Sequence, residues 1–369
     1  MPAVTNRCVA LVMAGGVGRR LWPASTPTRP KQLVSGLPRE GATLLGATVA
    51  RLQRLAAVDD IHVVTTGAQA EAVRRLVPSL PPTNVLTEPC GRNTTACIAL
   101  AVASVRSRLA SAGDEPVLVV APADHHVQDD EAFLSALNRA VEVARQRDAI
   151  TLLGIEPTEP NVGFGYIATG APLVEGAREA GSRVLAFTEK PDKATAQAYL
   201  ASSDPHYLWN AGVFVMPLGR VERELRALRP ATWRVAELAA SSGASETDDV
   251  LVARDYAALP DEPFDRAIVE QQADACVVPV AAGWSDLGSW TAVEGLFDPD
   301  GDGNRRVALG QAQVEVADSR GCFVWAEGVR VGVLGMDDVV VVARGDRLLV
   351  CRRDLAQHVG DLAKRLDPE

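Results

Sequence analysis

The sequence predicts an α/β chain: a mixed, mostly parallel sheet covered by helices, followed by a small β-rich domain of a different style. Three observations lead there. Short β-branched runs alternate with segments of helical period through the first two-thirds of the chain. Those runs are apolar almost throughout, as strands buried on both faces are. After about residue 305 strand-like runs follow one another closely, with little room for helices between them.

Taken in order, residues 9–13, 61–65, 84–86, 117–120 and 150–153 read as strands, each a short apolar run beside turn residues. Between them, 44–55, 68–76, 94–109 and 131–147 carry apolar residues at helical spacing and predict amphipathic helices. The middle, 164–280, is more mixed, with short strands expected at 184–187 and 212–216. The Pro- and Gly-containing stretch 297–306 reads as a linker. Strands are then expected at 312–316, 322–325, 329–334, 339–343 and 348–351, and a terminal helix at 355–366. Two domains follow from this, 1–300 and 305–369.

Composition narrows the class. Of 369 residues, 47% are hydrophobic and 23% charged, which provides for a sizeable core and excludes a disordered chain or a bare coiled coil. The net charge of −10 is a poor match to nucleic acid, so no nucleic-acid partner is expected. Positive charge for an anionic ligand must be local, or supplied by a metal. No apolar run approaches the roughly 18 residues of a membrane span, so no membrane partner is expected. The apolar run 8–14 ends in Gly15-Gly16 rather than a cleavage site. The six cysteines are scattered without a Cys-x-x-Cys pair, which points to reduced thiols and a cytoplasmic location.

The first strand runs into Ala14-Gly15-Gly16-Val17-Gly18-Arg19-Arg20-Leu21-Trp22-Pro23, with Arg29-Pro30-Lys31-Gln32 soon after. Glycines leaving a strand let backbone N–H groups approach an oxyanion, and Arg20 and Lys31 add charge-assisted contacts to phosphate. A tight turn with solvated basic residues is the plainer alternative. No Gly-Lys-Ser/Thr follows, so this is not a Walker A loop, and the third glycine of a dinucleotide fingerprint is missing. Asp124 lies just past a strand, where ligands of parallel sheets bind, and its carboxylate suits a hard cation, or else a helix N-cap. His125 and His126 adjoin it, but zinc needs more ligands at ligand spacing, and a structural role is expected for both.

The pattern Gly-Gly-x-Gly-x-Arg-Leu-x-Pro followed by Pro-Lys resembles the signature of sugar-phosphate nucleotidylyltransferases. Glu88-Pro89-Cys90-Gly91-Arg92-Asn93-Thr94 and Ala121-Pro122-Ala123-Asp124-His125 narrow the resemblance to mannose-1-phosphate guanylyltransferases, or GDP-mannose pyrophosphorylases. Gly163-Phe164-Gly165-Tyr166-Ile167, Phe187-Thr188-Glu189-Lys190-Pro191, Trp209-Asn210-Ala211-Gly212 and Trp284-Ser285-Asp286-Leu287-Gly288-Ser289-Trp290 continue it in order. The resemblance spans roughly residues 8–366. One block is weak; their common order is specific.

The resemblance implies a Rossmann-like nucleotidyltransferase domain followed by a β-helix-like domain. It implies transfer of GMP from GTP to α-D-mannose 1-phosphate by in-line displacement. The partners would be GTP and mannose 1-phosphate, the assembly a homodimer, and the cofactor Mg²⁺ held by Asp124 and Asp286. Arg20, Lys31 and Lys190 would be catalytic. Gly15, Gly16, Gly18, Glu88, Gly91 and Asn93 would bind the nucleotide. Glu88 could accept from guanine's adjacent N1–H and N2 amino donors, with a surface carboxylate as the alternative, and Asn93 or Thr94 could also cap the following helix. Gly165, Glu189 and Asn210 would bind the sugar, and Trp209, Trp284 and Trp290 would be core or pocket wall.

The pattern is departed from in two places. Arg19 stands where a small hydroxyl residue is usual, and Asn161-Val162 where Glu-Thr is common, so the hexose is less firmly implied than the base. Glucose 1-phosphate is an alternative sugar, and a non-catalytic nucleotide-binding regulator an alternative class. Retention of Arg20, Lys31, Asp124, Lys190 and Asp286 together argues against the regulator. Some members of that family carry a further isomerase domain of cupin type, and none is expected within these 369 residues.

Overall fold

The computed structural model describes residues 7–37, 42–109, 115–241 and 246–367, the side chains of 246–249 excepted. It divides into two compact units, one of Met1–Gly15, Val49–Pro122 and Val127–Trp284, the other of Gly16–Thr48, Ala123–His126 and Ser285–Glu369.

The first unit is built on a nine-stranded sheet. Its strands are β1 (Cys8–Met13), β2 (Ile61–Thr66), β3 (Val85–Glu88), β4 (Val117–Pro122), β5 (Thr151–Ile155), β6 (Tyr166–Pro172), β7 (Ser182–Thr188), β8 (His206–Pro217) and β9 (Cys276–Pro279). Their order is β3-β2-β1-β4-β8-β5-β9-β7-β6, with β8 also pairing with β6. The β3-β2-β1-β4 end is parallel. The long β8 then runs antiparallel to β4 and β5, and β7 antiparallel to β6 and β9. Parallel neighbours need crossovers, and α1 (Leu44–Leu52), α2 (Gly67–Leu76) and α3 (Asn93–Arg108) lie in the connections between these strands. α3 is buried without a break from Thr95 to Val105, which is why its sequence is apolar on every side. Its Ile98, Leu100 and Val102 pack with Val9 and Leu11 of β1, Leu118 and Val120 of β4, and Phe214 of β8. Each such fully buried side chain contributes on the order of 1.5–3 kcal/mol. α4 (Asp130–Arg147) starts where Asp129 accepts the Ala132 N–H at 2.9 Å, a side-chain cap.

The mixed middle holds more than the sequence pattern shows. β6 and β9 were not expected, and β8 begins six residues before the run expected at 212–216. Helices fill the remainder: α5 (Lys193–Ala201), α6 (Leu218–Leu228), α7 (Pro230–Ser241), α8 (Glu246–Ala257) and α9 (Phe264–Ala267).

The second unit contains β10 (Arg305–Leu309), β11 (Gln313–Ala317), β12 (Phe323–Glu327), β13 (Arg330–Leu334), β14 (Val339–Arg344) and β15 (Arg347–Arg352). β10, β12 and β14 form one parallel ladder and β11 and β13 another, so each of the first two coils gives one strand to each sheet, the β-helix pattern. β15 returns antiparallel to β14. Alternate residues of β12 and β14 face different cores. Val324 and Val341 meet Val316 and Val333 inside the coil. Phe323, Trp325, Val340 and Val342 meet Leu21, Trp22, Val34 and Trp290 on the other face. The stretch expected as a linker therefore already contains the start of β10, and Phe297 packs on this second core. The expected terminal helix opens as a 3-10 turn at Arg353–His358 before an α-helix at Val359–Leu366. Among the described residues no helix is long and apolar enough to cross a membrane. All six cysteines are free.

Candidate active site

The candidate site residues form three groups. The first lies in the second unit, where Gly18, Arg20, Lys31, Asp124 and Asp286 line one pocket. Gly18 adopts φ 70°, and a Cβ there would sit 2.4 Å from Lys31 Cβ, so only glycine fits. The Lys31 N–H donates to Val17 O at 3.0 Å, and Ser25 Oγ donates to Gly18 O at 2.6 Å, which fixes the loop. Lys31 is buried and its Nζ donates to Asp124 Oδ2 at 2.8 Å and to the carbonyl of Asp286. His126 and Ser285 exchange backbone hydrogen bonds of 2.8 and 3.0 Å, which brings Asp124 and Asp286 to the same pocket. Burial pushes the Asp124 carboxyl up, but the Lys31 ammonium and its hydrogen bond, with His125 beside it, together hold it below the usual carboxylate range. Arg20 is exposed, its guanidinium 3.4 Å from Gln357 Oε1. Gly16 is exposed as well.

Among the described residues no group of three or more His, Cys, Asp and Glu could hold a metal. Two carboxylates in one pocket suit a cation such as Mg²⁺, which takes one or two carboxylates and completes its shell with water and substrate phosphates. They do not make a closed zinc site.

The second group lies at the end of β3 in the first unit. Glu88 is only 3% exposed, and Tyr256 Oη donates to its Oε1 at 2.8 Å. Its Oε2 faces Gly15, where a Cβ would lie 3.5 Å away. Burial pushes the Glu88 carboxyl up to about 7, against the Tyr256 hydrogen bond, which lowers it. Gly91 is exposed, with open space where a side chain would be. Asn93 takes φ 62° and its Nδ2 donates to Asp261 at 3.0 Å. Neither expected cap forms on α3: Asn93 Oδ1 accepts from the adjacent Thr94 N–H, and Thr94 Oγ1 accepts from the Phe264 N–H.

The third group, also in the first unit, joins β6, β7 and β8. Gly165 O accepts the Asn210 N–H at 2.8 Å. A Cβ on Gly165 would meet Glu189 Oε2 at 2.7 Å, so the glycine makes room for that carboxylate. Lys190, at φ 47°, reaches Glu189 Oε1 at 2.7 Å, and Asn210 Nδ2 donates to Asp265 Oδ1 at 2.5 Å. Phe164 packs on Trp209 and Trp284, with ring centroids 5.0 and 5.5 Å away, a wall beside Gly165. Trp290 is core, with its Nε1 donating to Trp22 O at 2.9 Å. The unusual Asn161 forms a turn, its Oδ1 accepting the Gly163 N–H at 2.8 Å.

Two residues at these sites escaped the sequence pattern, Tyr256 and Asp265. Nothing near Tyr256 marks it, since its partner is 168 residues away. Asp265 sits among Phe264, Ala267 and Ile268, a short apolar helix start that gave no signal of its own.

The chain matches the family described as nucleotidyl transferase over residues 9–298, and a MannoseP isomerase/GMP-like beta-helix domain over 312–366. Xanthan biosynthesis protein XanB of Xanthomonas campestris pv. campestris (strain B100) is 36% identical over 359 residues, covering 96% of this chain and 72% of that protein. Mannose-1-phosphate guanylyltransferase of Salmonella montevideo is 35% identical over 366 residues, covering 97% and 74%. A crystal structure described as mannose-1-phosphate geranyltransferase from Thermus thermophilus superposes with TM-score 0.83 at 36% identity, covering 98% of this chain and 99% of that one. With the sheet, the β-helix and the motif blocks in one order, the chain belongs to the nucleotidyl transferase family, among the mannose-1-phosphate guanylyltransferases.

Proposed function

We propose that this protein transfers GMP from GTP to α-D-mannose 1-phosphate, giving GDP-mannose and pyrophosphate. The observation that carries the reading is the pocket at Gly18, in which a buried lysine is held by Asp124 and the Asp286 carbonyl beside an exposed arginine. A glycine turn with two cations suits a polyphosphate, and the names of the relatives support the substrates.

The sugar phosphate oxygen attacks the α-phosphorus of GTP, and the bond from that phosphorus to the bridging oxygen breaks, releasing pyrophosphate. A phosphate dianion needs no base to take a proton from it, so the chain's work is positioning and charge neutralisation. The Gly15, Gly16 and Gly18 turn admits the phosphates, and Arg20 and Lys31 balance the charge that develops on the leaving group. Glu88 accepts from guanine N1–H and N2–H, with Gly91 and Asn93 along the base loop. Lys190 holds the attacking phosphate, while Glu189, Asn210 and the Gly165 backbone take the hexose hydroxyls. Members of this family generally use a divalent metal. Asp124 and Asp286 would hold Mg²⁺, whose chemistry there is neutralisation of the triphosphate charge. The same reading takes 1–300 as the catalytic domain, 305–369 as its β-helix-like companion, a homodimer as the assembly and the cytoplasm as the location.

The test is pyrophosphate release with Mg²⁺ across GTP, ATP, UTP and dTTP against mannose, glucose, galactose and fucose 1-phosphates. The highest kcat/KM is expected for GTP with mannose 1-phosphate. Preference for UTP or dTTP overturns the base; GTP with glucose 1-phosphate overturns only the sugar. Asp124→Asn and Asp286→Asn are each expected to lower kcat on the order of 10²-fold, and normal turnover at limiting Mg²⁺ removes that residue from the metal site.

A further inference from the structure

Glu88 is buried before any base arrives, so the fold itself must orient its carboxylate. Tyr256, fully buried at the end of α8, donates to Oε1 at 2.8 Å. Oε2 faces Gly15, which follows β1 at the carboxyl end of a parallel strand, the end where such sheets bind ligands. Ala96 and Leu259 pack around the tyrosine, with Cys90 and Val235 at the margin. The titratable groups facing the pair are Cys97 on α3 and Cys90 in the loop after β3, and neither brings a positive charge. An arginine here would bond both carboxylate oxygens and leave little for a ligand. A phenol takes one of about four acceptor positions and leaves the others open.

We infer that Tyr256 is a positioning residue for nucleobase recognition: its hydroxyl holds Glu88 with Oε2 toward Gly15, so that the carboxylate meets guanine's N1–H and N2–H donors. The inference rests on the assignment of guanine to Glu88. It also gives recognition a pH dependence. Only the ionised carboxylate accepts both donors, and burial has raised its carboxyl to about 7. The phenol's hydrogen bond favours the ionised form, so losing it pushes the carboxyl further up.

The test compares Tyr256→Phe, which removes one oxygen and keeps the ring, with Glu88→Gln and the unaltered enzyme. Substrates are GTP, ITP (which lacks the 2-amino group) and ATP. Tyr256→Phe is expected to raise KM for GTP by roughly tenfold or more, with kcat and KM for mannose 1-phosphate nearly unchanged. It should narrow the preference for GTP over ITP and move the acidic limb of kcat/KM for GTP to higher pH. A folded Tyr256→Phe enzyme with unchanged KM and pH limb, beside a Glu88→Gln enzyme that has lost its GTP preference, overturns the inference and leaves the Glu88 assignment standing. A Glu88→Gln enzyme that keeps its GTP preference overturns that assignment, and the inference with it. Should Tyr256→Phe not fold, the unaltered enzyme decides. Its GTP-over-ITP preference must fall as pH drops from about 8.5 to about 5.5, and a flat ratio overturns the inference.

Discussion

Glu88 ends one strand of the nine-stranded sheet and Glu189 follows another, yet the two sit in opposite kinds of surroundings. Glu88 closes β3, 3% exposed, with one neutral donor and an apolar cluster around that donor. Glu189 follows β7, its side chain 11% exposed, bonded to a Lys190 that is itself 61% exposed. Beside Glu189 lies a second carboxyl, Asp265, which burial and then the Glu189 charge push up to about 6. On the proposed function, the difference answers to two kinds of ligand. A guanine edge presents two donors at a fixed angle, and one oriented carboxylate answers both. A hexose presents hydroxyls that donate and accept all round a ring, which calls for several groups of both signs.

The sharpest test of this contrast is a double dissociation. Glu88→Ala is expected to lower kcat/KM for GTP by about 10²–10³ and leave KM for mannose 1-phosphate nearly unchanged, because a lost polar match costs far more than lost contact area. Glu189→Ala is expected to do the reverse. Steady-state kinetics with each substrate varied in turn checks this, and equal damage to both constants in either variant would break the comparison.

The glycines beside the two carboxylates give a smaller effect. Gly165→Ala places a Cβ 2.7 Å from Glu189 Oε2 and 2.8 Å from the Phe187 ring, so the carboxylate must move. About a tenfold loss in kcat/KM for mannose 1-phosphate is expected, with base preference intact. Gly15→Ala meets Glu88 Oε2 at an ordinary 3.5 Å. Its melting temperature should be unchanged, and KM for GTP should rise several-fold as the methyl fills the space in front of the carboxylate. If Gly165→Ala binds mannose 1-phosphate normally, the close approach is not part of the sugar site.

The smallest effect is on stability. The Glu88 carboxyl is raised in the folded protein from 4.5 to about 7, so its favourable contribution is complete below 4.5 and is lost as pH rises through about 7. Glu88→Gln removes that dependence. Its melting temperature relative to the unaltered protein should therefore climb between pH 5 and pH 8, by about a few degrees. A constant difference across that range would mean that Glu88 is ionised throughout.

The three groups were unequally legible. The loop from Gly15 to Lys31 could be read directly, because its strand, turn and cations lie close in sequence and each residue type has a local reason. The β-helix was readable as closely spaced strands, but not the alternation that sends Val324 to one core and Phe323 and Trp325 to another. The middle resisted because β6 pairs with β8 as well as with its neighbour β7, and β9 with the distant β5 and β7, so their side chains answer to those partners more than to a local period.

By itself the sequence determined the alternation of strands and helices, the glycine turn with its cations, and the order of motif blocks that carries the family. Those are local properties, set by spacing, backbone freedom and residue chemistry within a few turns of chain. Only the tertiary structure decided that Asp124 and the Asp286 carbonyl share one lysine, that Asp265 answers Asn210, and that Tyr256 holds Glu88. Partners so far apart along the chain leave no periodic trace, and what brings them together is the burial of the strands and helices that carry them.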